Sequence, residues 1–115
     1  MSGRDHVNAG LLGEFKAMKV LRRKGMKLLA WRYRGAGGEA DLIMRDGETC
    51  VFVEVKYRPE GHIGDGLFAV NADKRRRIRQ AATHYALSHL PAGQPVRFDV
   101  VEMTRAGVRH IQNAF

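Results

Sequence analysis

The dipeptide Asp46-Gly47 constrains this chain more than any other feature. It stands between two β-rich segments, Glu39-Ala40-Asp41-Leu42-Ile43-Met44 and Thr49-Cys50-Val51-Phe52-Val53-Glu54-Val55-Lys56. Asp-Gly between such runs signals a hairpin, because glycine accepts the positive φ that a two-residue connection demands. With Asp46 and Gly47 as the turn, Asp41 falls opposite Phe52 and Glu39 opposite Glu54. Side chains alternate along a strand, so these four share a face, and Lys56 returns to it two residues after Glu54. Ala40, Leu42, Met44, Val51, Val53 and Val55 then point the other way, into an apolar layer. Two carboxylates and a lysine are thus expected to gather on one side of a ribbon.

The flanking segments supply helices and further strands. Leu11, Leu12, Phe15, Met18 and Leu21, with Ala17, recur at spacings of three and four, which predicts a first helix. Gly25 follows Arg22-Arg23-Lys24 as its stop, with cations at the negative helix end. Met26 to Arg34 reads as a strand and Gly35-Ala36-Gly37-Gly38 as a turn. That turn precedes a strand and lacks a following Gly-Lys-Ser/Thr, so it is not a nucleotide-binding loop. From Arg58 to about Phe68, Pro59, Gly61, Gly64 and Gly66 predict an open loop. A second helix is expected from Asp73 to Ser88, with Ile78, Ala81, Ala82 and Tyr85 facing the core. Val96–Val101 and Val108–Ile111 then form late strands joined around Thr104 to Gly107. The order is αβββαββ, an α/β fold with a helix-flanked mixed sheet, and 115 residues suit one domain, 1–115.

Charge narrows the partners. Lysine and arginine number 20 against 12 acidic residues, a formal net charge of +8, which attracts polyphosphate or an anionic surface. No apolar stretch reaches the length that crosses a bilayer, the basic segments do not form one amphipathic anchor, and the start carries no secretory pattern. Cys50 is the single cysteine. An intrachain disulfide is excluded, a buried thiol is expected from its apolar surroundings, and a reducing, cytoplasmic setting follows. His6, His62, His84, His89 and His110 show no metal-ligand spacing. Trp31, Tyr33 and Tyr57 are expected to pack, with base stacking the alternative.

Phosphodiester hydrolysis needs an attacking water, neutralised phosphate charge and a stabilised leaving oxygen. A hard divalent cation, Mg²⁺ or Mn²⁺, meets these needs when held by oxygen ligands such as Asp41 and Glu54, with the Val55 backbone carbonyl as a further candidate. Lys56 would orient the water, help deprotonate it, or offset developing charge. Glu39 is another acidic candidate, with Arg34 as its alternative partner.

The ordered set Gly13-Glu14, Gly38-Glu39-Ala40-Asp41-Leu42-Ile43, Phe52-Val53-Glu54-Val55-Lys56-Tyr57-Arg58, Ala69-Val70 before Lys74, and Phe98-Asp99-Val100 resembles the YraN-like (UPF0102) bacterial family of endonuclease-type proteins. That family lies within the restriction-endonuclease-like superfamily and is related in fold to archaeal Holliday junction resolvases. The resemblance implies a metal-dependent endonuclease acting on DNA, branched or otherwise structured, with RNA as a second candidate and a homodimer as its assembly. It implies that Asp41 is the acid of the first catalytic strand, that Glu54 and Lys56 are the pair on the second, and that Glu14 reaches the same centre as an additional metal-associated or water-positioning group. Ala40 stands where the superfamily often has proline, which restrains backbone but supplies no catalytic atom. Arg58, Lys74, Arg75, Arg76, Arg77 and Arg79 are the candidate phosphate contacts, though five residues of one helix cannot all face alike. The alternative is a noncatalytic nucleic-acid-binding module on the same fold.

Overall fold

The computed structural model describes residues 3–60 and 70–115. The order is α1 (Gly3–Arg23), β1 (Lys27–Gly35), β2 (Gly38–Asp46), β3 (Thr49–Tyr57), α2 (Ala72–His89), β4 (Val96–Thr104) and β5 (Gly107–Ile111). This is the αβββαββ arrangement expected from the sequence. The strands lie side by side in chain order, antiparallel except for the β3–β4 pair, which is parallel and joined through α2. Most of the glycine-rich stretch expected as an open loop, residues 61–69, lies outside the described residues.

Each face of the sheet carries one helix. Ala17, Met18 and Leu21 of α1 pack on Leu42, Met44, Val51, Val53 and Val101. Ile78, Ala81, Ala82 and Tyr85 of α2 pack on Ile43, Phe52 and Val100 from the other side. Truncating a side chain as enclosed as Phe52 to alanine costs about 3–5 kcal/mol, whereas an exposed ion pair such as Arg76–Asp73 is screened by water and contributes little. The two apolar layers therefore hold the fold. Cys50 is buried among them, and burial pushes its thiol up to about 11, which suits a packing role.

The α1 stripe differs from the expected one. Leu12 and Phe15 are exposed, while Glu14 faces inward beside the expected Ala17, Met18 and Leu21. Glu14, Ala17, Met18 and Leu21 are themselves spaced by three and four, so the buried face is rotated by about one residue. Phe15 sits at the rim instead, its ring 6.1 Å from Trp31. Gly13 faces the sheet, where an added Cβ would lie 2.8 Å from Tyr57.

The central hairpin also corrects its predicted register. Phe52 pairs with Ile43 rather than Asp41, a slip of two residues. The turn residues are Gly47 and Glu48, because Asp46 pairs with Thr49. Only Gly47 of the two has a positive φ, 61°, as a connection with glycine first requires. A two-residue slip preserves the alternation of faces, so Asp41 and Glu54 still meet. Ala40 is the exception: it joins the α2-side layer, not the layer of Leu42 and Met44. Gly38 explains why, since an added Cβ there would run into the Arg77 carbonyl oxygen. The start of β2 rests directly on the backbone of α2.

Candidate active site

Asp41 and Glu54 lie just beyond Leu42–Val53, the last rung of the β2–β3 ladder. There the backbone N–H of Val55 donates to Asp41 Oδ2 at 2.8 Å, fixing the carboxylate across the two strands. Glu54 is 2% exposed, and Lys56 Nζ and Lys74 Nζ each lie 3.3 Å from its Oε1. Burial and the Glu54 charge push Asp41 up to about 7, against the opposing effect of the Val55 N–H; the Glu14 charge adds to the rise and Lys74 reduces it. Burial alone would lower the Lys74 pKa, but Glu54, Asp41 and Glu39 more than offset this and raise it.

Lys74 thus belongs with the carboxylates and not with an outer basic surface. It is placed by the start of α2, where Asn71 caps the helix and accepts the Lys74 N–H at 2.9 Å. Glu39 extends the charged group: Arg77 lies 3.6 Å from it, and Arg34 and Lys74 each 4.0 Å. Arg34, the alternative partner read for Glu39 from the sequence, is within this wider set.

Glu14 reaches the same neighbourhood through cationic and aromatic partners. Its Oε1 accepts from Trp31 Nε1 at 2.6 Å and from Arg32 Nε at 2.8 Å, and its Oε2 from Arg32 Nη2 at 3.2 Å. Glu14, Arg32, Arg34, Glu39, Ala40 and Asp41 line one polar cleft of about 180 Å³. Trp31, a candidate for stacking on bases, instead supports this carboxylate from the sheet. Arg32 was legible only as one of several basic residues and not as a site residue, because nothing local marks it. A bulge between Leu28 and Ala30 shifts the β1 register, and Arg32 has a φ of 55°.

The remaining basic candidates diverge. Arg58 is exposed just after β3, its N–H donating to the Met103 carbonyl. Arg75 donates to the Val70 carbonyl at 2.9 Å and lies over Phe115. Arg76 pairs with Asp73, Arg77 with Glu39, and Arg79 lies over the rings of Phe98 and Phe115. Arg76 and Arg79 also border an open groove on the outer side of α2.

The Asp99 of the Phe98-Asp99-Val100 motif is a structural anchor. Arg97 binds both its oxygens at 2.9 and 3.1 Å, His110 Nε2 lies 2.7 Å away, and the Asn113 N–H donates to it. Burial would raise the Asp99 pKa, but the bonds from His110, Arg97 and Asn113 prevail and hold it below the usual range. Arg97 also reaches Asp46, tying β4 to the central hairpin.

Among the described residues, no three histidine, cysteine or acidic side chains converge as a ready-made metal cage, and no helix is long and apolar enough to cross a membrane. The acidic centre consists of two strand carboxylates with cationic neighbours.

Comparison with known proteins adds a family to this geometry. The model of the uncharacterised protein family UPF0102 matches residues 13–103, a span that runs from the Gly13-Glu14 pair to β4. A UPF0102 protein of Shewanella amazonensis is 43% identical over 95% of this chain and all of its own length. UPF0102 proteins of Geobacter metallireducens and Lachnoclostridium phytofermentans are 41% and 42% identical, each over 92% of this chain and over 90% and 91% of their own. With the matched span covering both carboxylate strands, the chain belongs to the uncharacterised protein family UPF0102.

Proposed function

We propose that this protein is a metal-dependent endonuclease that hydrolyses phosphodiester bonds in DNA. The observation that carries the reading is the pair Asp41 and Glu54, set side by side on adjacent strands and bordered by Lys56 and Lys74. A carboxyl raised to about 7 by burial and its neighbour's charge marks a place where added positive charge is favourable. The donors are hard oxygens, and with few protein ligands a small cation keeps positions for water and phosphate, which fits Mg²⁺ or Mn²⁺. Asp41 and Glu54 would hold the ion, with the Val55 carbonyl as a backbone ligand. When bound, such an ion supplies an activated water and neutralises phosphate charge.

The chain's own groups do the rest. The Val55 N–H keeps Asp41 pointed across the strands, and Lys74 holds Glu54 from α2. Lys56, two residues after Glu54, presents its ammonium where negative charge grows on the attacked phosphate. Glu14 enters this scheme through Arg32 rather than as a direct ligand. The +8 charge favours approach of the polyanion.

A noncatalytic binding module is the second reading, favoured by the exposed arginines Arg58, Arg76 and Arg79. The deciding experiment compares wild type with D41A, E54A and K56A on labelled single-stranded, duplex and branched DNA and on RNA, with Mg²⁺, Mn²⁺ or chelator, and measures binding separately. Metal-dependent cleavage that each variant loses while still folding and binding supports the enzyme. Binding without cleavage by wild type under every condition leaves the module and removes the enzyme.

A further inference from the structure

We infer that Arg32, gripped by Glu14, forms a preset binding subsite for a DNA backbone phosphate beside Asp41. The inference rests on the phosphodiester-cleaving reading for the identity of the ligand, but it concerns binding and is tested without cleavage.

Three independent observations converge on Arg32. The first is its backbone. A non-glycine residue at a φ of 55° within a strand occupies a sparsely populated, strained region, and such conformations persist where surrounding contacts enforce them. Its consequence is visible in the side chains. In a regular strand Trp31 and Arg32 would project from opposite faces, yet both bond to Glu14.

The second is the grip itself. Glu14 is 8% exposed and binds the guanidinium through Nε and Nη2, a two-point hold that fixes the plane of the group. Glu14 is held in turn by the Trp31 indole.

The third is the direction. The Arg32 side chain remains 40% exposed and lines the polar cleft shared with Asp41. The Nη1 group is outside the Glu14 grip and, among the described residues, keeps donors for a ligand. A planar guanidinium with its orientation already fixed suits an oxyanion of phosphate, because little side-chain freedom is lost on binding. A purely structural Arg–Glu pair needs no strained backbone and no cleft shared with a further strand carboxylate.

The test measures equilibrium binding of a fluorescein-labelled branched DNA oligonucleotide to the full chain in chelator, over a salt series. Wild type is compared with Arg32→Gly, Arg32→Lys, Glu14→Gln and the double variant Glu14→Gln with Arg32→Gly. Glycine takes a φ of 55° without strain, and glutamine leaves no uncompensated buried charge, so the double variant should keep its fold, as checked by circular dichroism and melting. The subsite predicts about tenfold weaker binding for Arg32→Gly and for the folded double variant, with the salt slope smaller by about 0.9 for one lost phosphate contact. Arg32→Lys, which keeps the charge but not the planar fork, and Glu14→Gln, which keeps the guanidinium but loosens its hold, should both fall between them and wild type. Wild-type affinity and slope in Arg32→Gly, or no wild-type binding at all, overturns the subsite. Should Arg32→Gly bind poorly while wild type never cleaves with metal, the subsite stands and the nuclease reading fails. Should wild type cleave and Arg32→Gly bind unchanged, the reverse holds.

Discussion

Lys74 Nζ, carried by the first turn of α2, lies 3.3 Å from Glu54 Oε1 on β3, so the helix contributes an ammonium to the acidic centre of the sheet. Its charge lowers the pKa of Asp41. Replacing Lys74 with methionine should therefore raise the Asp41 pKa further above about 7, read by carbon NMR of the carboxyl group. It should also destabilise the fold by about 1–2 kcal/mol, since buried Glu54 keeps Lys56 as a partner. An unchanged or lower Asp41 pKa would count against the electrostatic coupling.

Asp41 carries a stability dependence of defined sign. Its pKa rises from an ordinary 3.8 to about 7 on folding, so the folded chain holds the proton more tightly. That contribution is fully present below about pH 4 and is lost as pH rises through about 7. An asparagine side chain cannot ionise, so Asp41→Asn should gain on wild type progressively across this window, by about 1–3 kcal/mol near pH 8. Denaturant melts at about pH 4, 6 and 8 measure it, and a difference constant with pH would sink the idea. The same variant should lose metal-dependent cleavage.

Gly38 tests how the site is seated. An added Cβ would collide with the Arg77 carbonyl oxygen and lie 2.6 Å from the Ala81 nitrogen, both backbone atoms. Gly38→Ala must therefore push α2 from β2, costing about 1–3 kcal/mol. Because Glu39 to Asp41 follow directly, cleavage should fall more than a remote change of equal cost would cause. Thermal melts and rates on the same samples separate the two, and wild-type stability would refute the close approach.

The outer arginines predict a graded binding response. Arg58, Arg76 and Arg79 are exposed, whereas Arg75 is tied to Val70. Alanine at all three exposed positions should reduce the salt slope of DNA binding by about 2–3, with Arg75→Ala leaving it nearly unchanged. Equal losses from Arg75→Ala and the triple variant would show that the surface has been misassigned.

The main architecture and the meeting of Asp41 with Glu54 were legible because alternation survives an even slip: two residues of register error left every β3 face correct. What was not legible arises from contacts between distant elements. The turn type depended on whether Gly47 opens or closes the two-residue loop. The seat of Ala40 depended on Gly38 touching α2. The α1 stripe misled because Phe15 is apolar yet finds Trp31 at the rim, while the charge of Glu14 hid an inward position that Arg32 makes tolerable. Lys74 read as one of five cations on a helix, and only the approach of α2 to β3 sets it apart.

Strand β1 forms one margin of the sheet, where a flat ribbon would leave unpaired amides able to recruit a strand from another molecule. The bulge between Leu28 and Ala30 shifts the pairing register of that ribbon, and the left-handed backbone at Arg32 interrupts its extended conformation. Straightening it, for instance by changes that restore regular pairing through residues 28–32, would remove a barrier to self-association. The kink that aims a guanidinium into the cleft thus also guards this margin of the sheet against stacking edge to edge.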